Sequence, residues 1–248
     1  MKKVEIENLE LKYLKKYYYF LKFAIDEILL GLKTKDTIKN DWKGLWGAKI
    51  SNFSTGAERV VYSLLNGKGI GVPNSNPVGS DLFFELDDAF IHIDLKTVGT
   101  KNIGDFATNI FVGTNQNSYK YNMLVGKGKK KYKRSYTPHL PTIYNKGKKN
   151  QKPCLSYFIT ILYDSESADA LVVNIMCMPN GLLSSVYKDR PLRAGKNIEK
   201  TRFNFIKAQD FELLDNEKRI RVVYFKKGIS KQFKQLTFQE DIYNKMSD

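Results

Sequence analysis

The sequence predicts a mixed α/β (α+β) fold, in which a mixed central β-sheet is flanked by helices. Three observations carry this expectation. Apolar residues recur at helical spacing from about Leu9 to Leu32, and several short runs rich in Val, Ile, Phe and Tyr read as strands. The chain has 248 residues, 42% of them apolar and 13% aromatic, enough for a continuous hydrophobic core. With no internal repeat and no evident linker, the expected organisation is a single domain over 1–248. It has an N-terminal helical part over about 1–66, a hairpin at 81–98 and a basic segment at 106–153.

Taken in order, Leu11, Leu14, Tyr18, Leu21, Ile25, Ile28 and Leu32 follow a 3,4 spacing that predicts one long helix from Leu9 to Leu32. Packing of that seam on the chain's own domain is the favoured reading, and a coiled-coil subunit contact is the alternative. Past a connection at Trp42–Gly47, Thr55-Gly-Ala-Glu58 matches a capping box and predicts a second helix starting near Thr55. A loop rich in Gly, Asn and Pro covers 66–79. Strands are expected at Leu82–Leu86 and Ala89–Val98 about an Asp87-Asp88 turn, then at Leu155–Tyr163, Ala170–Met178 and Arg219–Phe225. The interval 106–153 reads as mostly loop, with a short strand at 109–112. A short helix from about Ser230 to Asn244 closes the chain.

Charge narrows the function. Lys and Arg number 41 against 26 acids, a net +15, and 34 of the 41 are Lys. Some of the Lys excess is what an AT-rich coding genome would produce. The distribution is more telling, since no acid stands between Asp105 and Asp164 while eleven Lys or Arg do. Such segregation attracts polyanions, nucleic acid foremost; an anionic membrane is disfavoured because no basic amphipathic helix is evident. No apolar run reaches the roughly 18 residues needed to span a bilayer. The N-terminus lacks a signal-peptide core, and Cys154 and Cys177 sit in apolar segments without metal-ligand spacing. A reduced, cytoplasmic protein is expected, with neither disulfide framework nor zinc finger.

The chemistry concentrates in residues 77–97. A hairpin turning at Asp87-Asp88 pairs residues whose numbers sum to 175, which sets Asp81 opposite Asp94 on one face. Lys96 shares that face, and Ile91, Ile93 and Leu95 point to the other as core. Facing carboxylates repel unless a cation lies between them, and Mg²⁺ commonly takes one or two carboxylates together with waters and phosphate oxygens. Lys96 beside such a pair suits metal-assisted phosphodiester hydrolysis. The plain alternative leaves Asp81 and Lys96 as solvated strand-end residues. It explains Asp94 poorly, because a charge in the middle of an apolar strand is costly.

Ser80-Asp81, twelve residues, then Asp94-Leu95-Lys96 resembles the PD-(D/E)XK nuclease motif, in surroundings similar to those of type II restriction endonucleases. The likeness covers about residues 55–98, and Ser80 stands where the family has Pro. It implies a restriction-endonuclease-like fold in which Asp81, Asp94 and the Leu95 carbonyl hold Mg²⁺ and Lys96 positions the attacking water. Glu58 matches the additional helix carboxylate of many members, a role compatible with its capping-box reading. The resemblance also implies a homodimer on a palindromic double-stranded DNA site and a cognate DNA methyltransferase protecting the host. Another PD-(D/E)XK repair or junction-resolving nuclease, or a non-catalytic nucleic-acid-binding module, are the alternative readings.

Recognition is expected downstream. Asn115, Gln116, Asn117, Ser118 and Tyr119 form a polar run of residue types that read base edges. Lys129, Lys130, Lys131, Lys133 and Arg134, with Lys148 and Lys149, suit phosphate contacts. Arg190 and Arg193 belong to a later cluster with the fork geometry for guanine or phosphate. His92 shares the Asp94 face and reads as a satisfied polar strand residue, and no Ser-His-Asp or Cys-His set is apparent.

Overall fold

The computed structural model describes residues 1–37, 53–66, 72–73, 80–126, 130–187, 192–194, 199–205 and 217–246. The expected connection at 42–47, most of the 66–79 loop, and Lys129 and Arg190 lie outside the described residues.

Two helices open the chain, α1 (Lys3–Phe23) and α2 (Ile25–Thr37). The single expected helix is thus interrupted at Ala24, whose φ and ψ of −93° and 13° depart from helical values. Hydrogen bonds from Ala24 N to Phe20 O and from Ile28 N to Ala24 O, both 3.0 Å, carry the axis across the break. Leu14, Tyr18, Leu21, Ile28 and Leu32 of the seam are buried in the core, so it packs within this chain. Helix α3 spans Phe53–Leu65. Thr55 therefore lies inside the first turn and is not the N-cap, which removes the capping-box role of Glu58. Phe53 stacks on Tyr163 at 4.5 Å, a tertiary contact that accounts for the earlier start.

A seven-stranded sheet forms the centre. Its strands are β1 (Val72–Pro73), β2 (Leu82–Glu85), β3 (Phe90–Gly99), β7 (Ile143–Tyr144), β8 (Lys152–Tyr163), β9 (Ala170–Met178) and β12 (Ile220–Phe225). The order is β1-β2-β3-β8-β9-β12, with β7 beside β8. Only the β3–β8 pair is parallel, so the sheet is mixed as expected. Long apolar runs in β8 and β9 suit strands covered on both faces. On one face lies α1, where the Tyr17 ring meets Tyr157 at 5.6 Å and Tyr157 Oη donates to Glu10 O. Buried Glu10 accepts from Asn180 N and pairs with Arg219 at 2.8 Å, tying α1 to the sheet's far edge. The other face carries Asp94, Phe158 and Met176 in one row across the register.

The interval 106–153 has the short strand expected at 109–112 and otherwise departs from the expected loop. It holds β4 (Asn109–Gly113), β5 (Tyr121–Val125), β6 (Tyr132–Tyr136) and β7, preceded by a one-turn helix at Gly104–Ala107. β4 joins β10 (Leu192–Ala194) and β11 (Lys200–Asn204) in a three-stranded sheet, and β5 pairs with β6 as a two-stranded ribbon. Phe106, Ile110, Phe111 and Phe205 meet Thr160 and Met176 around one pocket, so this second sheet lies toward the Asp94 face. The C-terminal helix is divided into Ile229–Gln232 and Thr237–Lys245. No helix among the described residues is long and apolar enough to cross a membrane.

Candidate active site

The site grows from the β2–β3 hairpin. Leu86 N donates to Ala89 O at 2.9 Å across the Asp87-Asp88 turn, and the register pairs Leu82 with Ile93, Phe83 with His92 and Glu85 with Phe90. Each pair sums to 175, the register the hairpin arithmetic expects, and one step beyond the ladder the same sum sets Asp81 against Asp94. Ladder pairing with β2 ends at Ile93, and the Leu95 N–H is taken instead by Asp81 Oδ2 at 2.7 Å. Asp81 thus closes the end of the hairpin with one oxygen while remaining exposed. Ile91, Ile93 and Leu95 are buried on the opposite face, as strand parity requires.

Asp94 is 2% exposed. Its Oδ2 accepts from Gln116 Nε2 at 2.6 Å. Its Oδ1 faces Lys96 Nζ as an ion pair but accepts no hydrogen bond of good geometry. Burial raises the Asp94 carboxyl to about 6; Lys96 opposes that rise and Asp81 adds to it. Glu58, on α3, is also raised, first by burial and then by the Asp81 charge, with Lys96 acting the other way. Asp81, Asp94, Lys96 and Glu58 therefore share one electrostatic neighbourhood. Among the described residues, no group of three or more His, Cys, Asp or Glu converges tightly enough to hold a metal by itself. The donor set is a carboxylate pair with hard oxygen ligands, which fits Mg²⁺ supplemented by water and phosphate.

His92 is buried between Ser80 Oγ at 2.9 Å and Tyr144 Oη at 3.0 Å, and it stacks on Phe83. Burial lowers it to about 4, which keeps it neutral at physiological pH. Through Ser80 it anchors the residue before Asp81.

The polar run after β4 divides. Only Asn115 is exposed. Asn117 donates to Tyr136 Oη at 2.8 Å and accepts from Tyr119 N, while Ser118 Oγ accepts from Gly181 N. A Cβ on Gly181 would stand 2.1 Å from Ser118 O, so the run is close-packed there. Tyr119 is fully buried against Phe203. The expectation of base reading is corrected for Asn117, Ser118 and Tyr119, all three of which are buried, with the Asn117 amide and the Ser118 hydroxyl bonded within the fold. Gln116 turns inward to Asp94, a contact that sequence reasoning missed because nothing local signals a partner 22 residues away. Lys130, Lys131, Lys133, Lys148, Lys149 and Arg193 are exposed, and Arg134 is half-buried on β6.

Comparison with known proteins agrees with this geometry. The family described as "Type II restriction enzyme MwoI, N-terminal domain" matches residues 2–167, and "Type II restriction enzyme MwoI, central domain" matches 170–225. The junction between them falls in the β8–β9 turn, so strands from both matched segments are neighbours in the central sheet. No curated protein matches the sequence. Among solved structures, restriction endonuclease BglI bound to its DNA recognition sequence superposes with a TM-score of 0.66 at 15% identity, covering 88% of this chain and 90% of that one. Tetrameric restriction endonuclease SfiI bound to cognate DNA gives 0.64 at 11% identity, covering 92% and 87%. These likenesses establish a restriction-endonuclease fold, and with two-thirds of its length matched by the N-terminal domain alone, the chain belongs to the MwoI family of type II restriction enzymes, which are site-specific deoxyribonucleases.

Proposed function

We propose that this chain is a Mg²⁺-dependent type II restriction endonuclease that hydrolyses double-stranded DNA at a palindromic site as a homodimer. The observation that carries the reading is the convergence of Asp81 and Asp94 with Lys96 at the open end of one hairpin. Asp94 Oδ1, the exposed Asp81 carboxylate and the Leu95 carbonyl are the oxygens that would hold the ion. When bound, Mg²⁺ supplies charge neutralisation at the scissile phosphate and acidifies a coordinated water. Lys96, paired with Asp94, would orient the attacking water and offset charge developing on the phosphate. Glu58 lies in the same field and completes the acidic side of the site.

DNA contact falls to the exposed cations. Lys130, Lys131, Lys133 and Arg134 line the β5–β6 ribbon and its approach, while Lys148, Lys149 and Arg193 supply further phosphate contacts. The major groove admits a two-stranded ribbon of this kind, and the exposure of Asn115 supports a base contact there. BglI and SfiI are each described with bound DNA, which supports the same partner here. Two-fold pairing of the protein matches a two-fold DNA site. The reading entails one endonuclease domain over 1–248, a cytoplasmic setting and a cognate DNA methyltransferase acting on the same sequence.

Digestion of a long mixed-sequence DNA with and without Mg²⁺, beside Asp94→Ala, tests the proposal. Discrete Mg²⁺-dependent fragments that vanish in the variant are expected. A smear would refute site specificity, and an intact substrate with either Mg²⁺ or Mn²⁺ would refute the nuclease itself.

A further inference from the structure

Asp94 presents two oxygens, and the torsion that turns a carboxylate about its Cβ–Cγ bond is broad and nearly two-fold. Backbone geometry therefore leaves open which oxygen faces the site. Gln116 settles it from outside the hairpin. Its Nε2 donates to Asp94 Oδ2 at 2.6 Å, and its own Oε1 accepts from Gly113 N at 2.7 Å, so the amide is held at both ends. The turn that delivers it is tight: Gln116 N donates to Gly113 O at 3.1 Å, and a Cβ on Gly113 would stand 3.2 Å from Gln116 Oε1.

We propose that Gln116 is a positioning residue that binds Asp94 Oδ2 and so presents Oδ1, beside Lys96, as the cation-binding oxygen. The inference rests on the reading of Asp94 as a cation ligand. The competing role for Gln116 is base recognition, the function its residue type suggests. Reaching a base edge would break both amide bonds, one of them charge-assisted and so among the stronger kind. The two roles part in what they control. A positioning residue governs metal affinity, whereas a base reader governs DNA affinity.

The experiment is calorimetric titration of Mn²⁺ into wild type and Gln116→Leu without DNA, together with DNA binding in EDTA and cleavage as a function of Mn²⁺. Loss of an outer partner of a metal ligand weakens binding about 10–100-fold. We expect that loss of Mn²⁺ affinity in the variant, unchanged DNA affinity, and cleavage that recovers to within about threefold of wild type at saturating Mn²⁺. Unchanged Mn²⁺ affinity, or a fall in DNA affinity alone, overturns the proposal. If Gln116→Leu is poorly folded, Gln116→Met, which keeps the side chain's length without its amide, carries the test and is expected to weaken Mn²⁺ binding in the same direction. A wild type that binds Mn²⁺ without cutting DNA would defeat the nuclease reading and leave the affinity ratio to decide Gln116. A wild type that binds no Mn²⁺, either alone or with DNA phosphates present, would overturn both.

Discussion

Asp94→Asn should make the metal-free protein more stable while abolishing cleavage. Burial lifts the Asp94 carboxyl from an ordinary 3.8 to about 6. The folded state therefore holds this proton more tightly than the unfolded chain, and the associated stability is present at low pH and lost as pH rises from about 3.8 through 6. At about 1.4 kcal/mol for each tenfold change in proton affinity, the ionised group opposes folding by about 3 kcal/mol above pH 7. The amide in Asp94→Asn has no charge to desolvate and can still accept from Gln116. Lys96, whose side chain is 24% exposed, can turn its ammonium to water. Thermal denaturation in EDTA at pH 7.5 should show the variant more stable by about 2–3 kcal/mol, or about 4–12 °C in Tm for a chain of this size. At pH 4 most of the gap should disappear, because Asp94 is then protonated in the folded protein. A variant no more stable than wild type at pH 7.5, or a gap independent of pH, would show that Asp94 does not bear this burden.

Three further outcomes follow from other parts of the structure. Lys96→Ala should lower single-turnover cleavage at saturating Mn²⁺ by about 10²–10³-fold with DNA affinity in EDTA little changed, the loss typical of one transition-state donor. Glu10→Ala removes the closer carboxylate of the fully buried Arg219 guanidinium, leaving Glu7 at 3.7 Å, and should cost up to about 3–5 kcal/mol in chemical denaturation. Replacing exposed Lys130, Lys131 and Lys133 together by Ala should weaken DNA binding across all sequences and reduce the slope of log affinity against log salt by up to about 3, at about 0.9 per phosphate contact.

The parts legible in the sequence are those governed by short-range rules. A turn at Asp87-Asp88 fixes the arithmetic of a hairpin, and strand parity then assigns Asp81, Asp94 and Lys96 to one face and Ile91, Ile93 and Leu95 to the other. The ends of β9 follow from its apolar run alone. What escaped depends on distant partners. The parallel pairing of β3 with β8 joins segments about 60 residues apart, and no local pattern sets that register. The β5–β6 ribbon is hidden by its composition. Met123, Val125 and Tyr136 are its buried residues, and the Gly and Lys around them read as loop. The break at Ala24 falls inside an unbroken apolar seam with neither Gly nor Pro to mark it.

The polar run at 115–119 shows why residue type is a weaker guide than placement. Asn, Gln, Ser and Tyr are chosen for base reading because each carries donors and acceptors, and the same property makes them fit to close a buried turn. Which use prevails is decided by the surroundings. Gly181 and Phe203 press on Ser118 and Tyr119, and Tyr136 meets Asn117, so those three residues are buried within the fold. Asn115 faces water and Gln116 faces Asp94, so adjacent residues of one turn point to two parts of the proposed reaction. The two carboxylates proposed as catalytic divide in the same manner. Asp81 is exposed and spends one oxygen on the Leu95 N–H, whereas Asp94 is buried and depends on Gln116 and Lys96 for every polar contact the structure gives its side chain. An exposed ligand can exchange water for a cation at little cost, but a buried one must be oriented beforehand. The need for an outside positioning group therefore falls on Asp94, and the turn after β4 is the element that meets it.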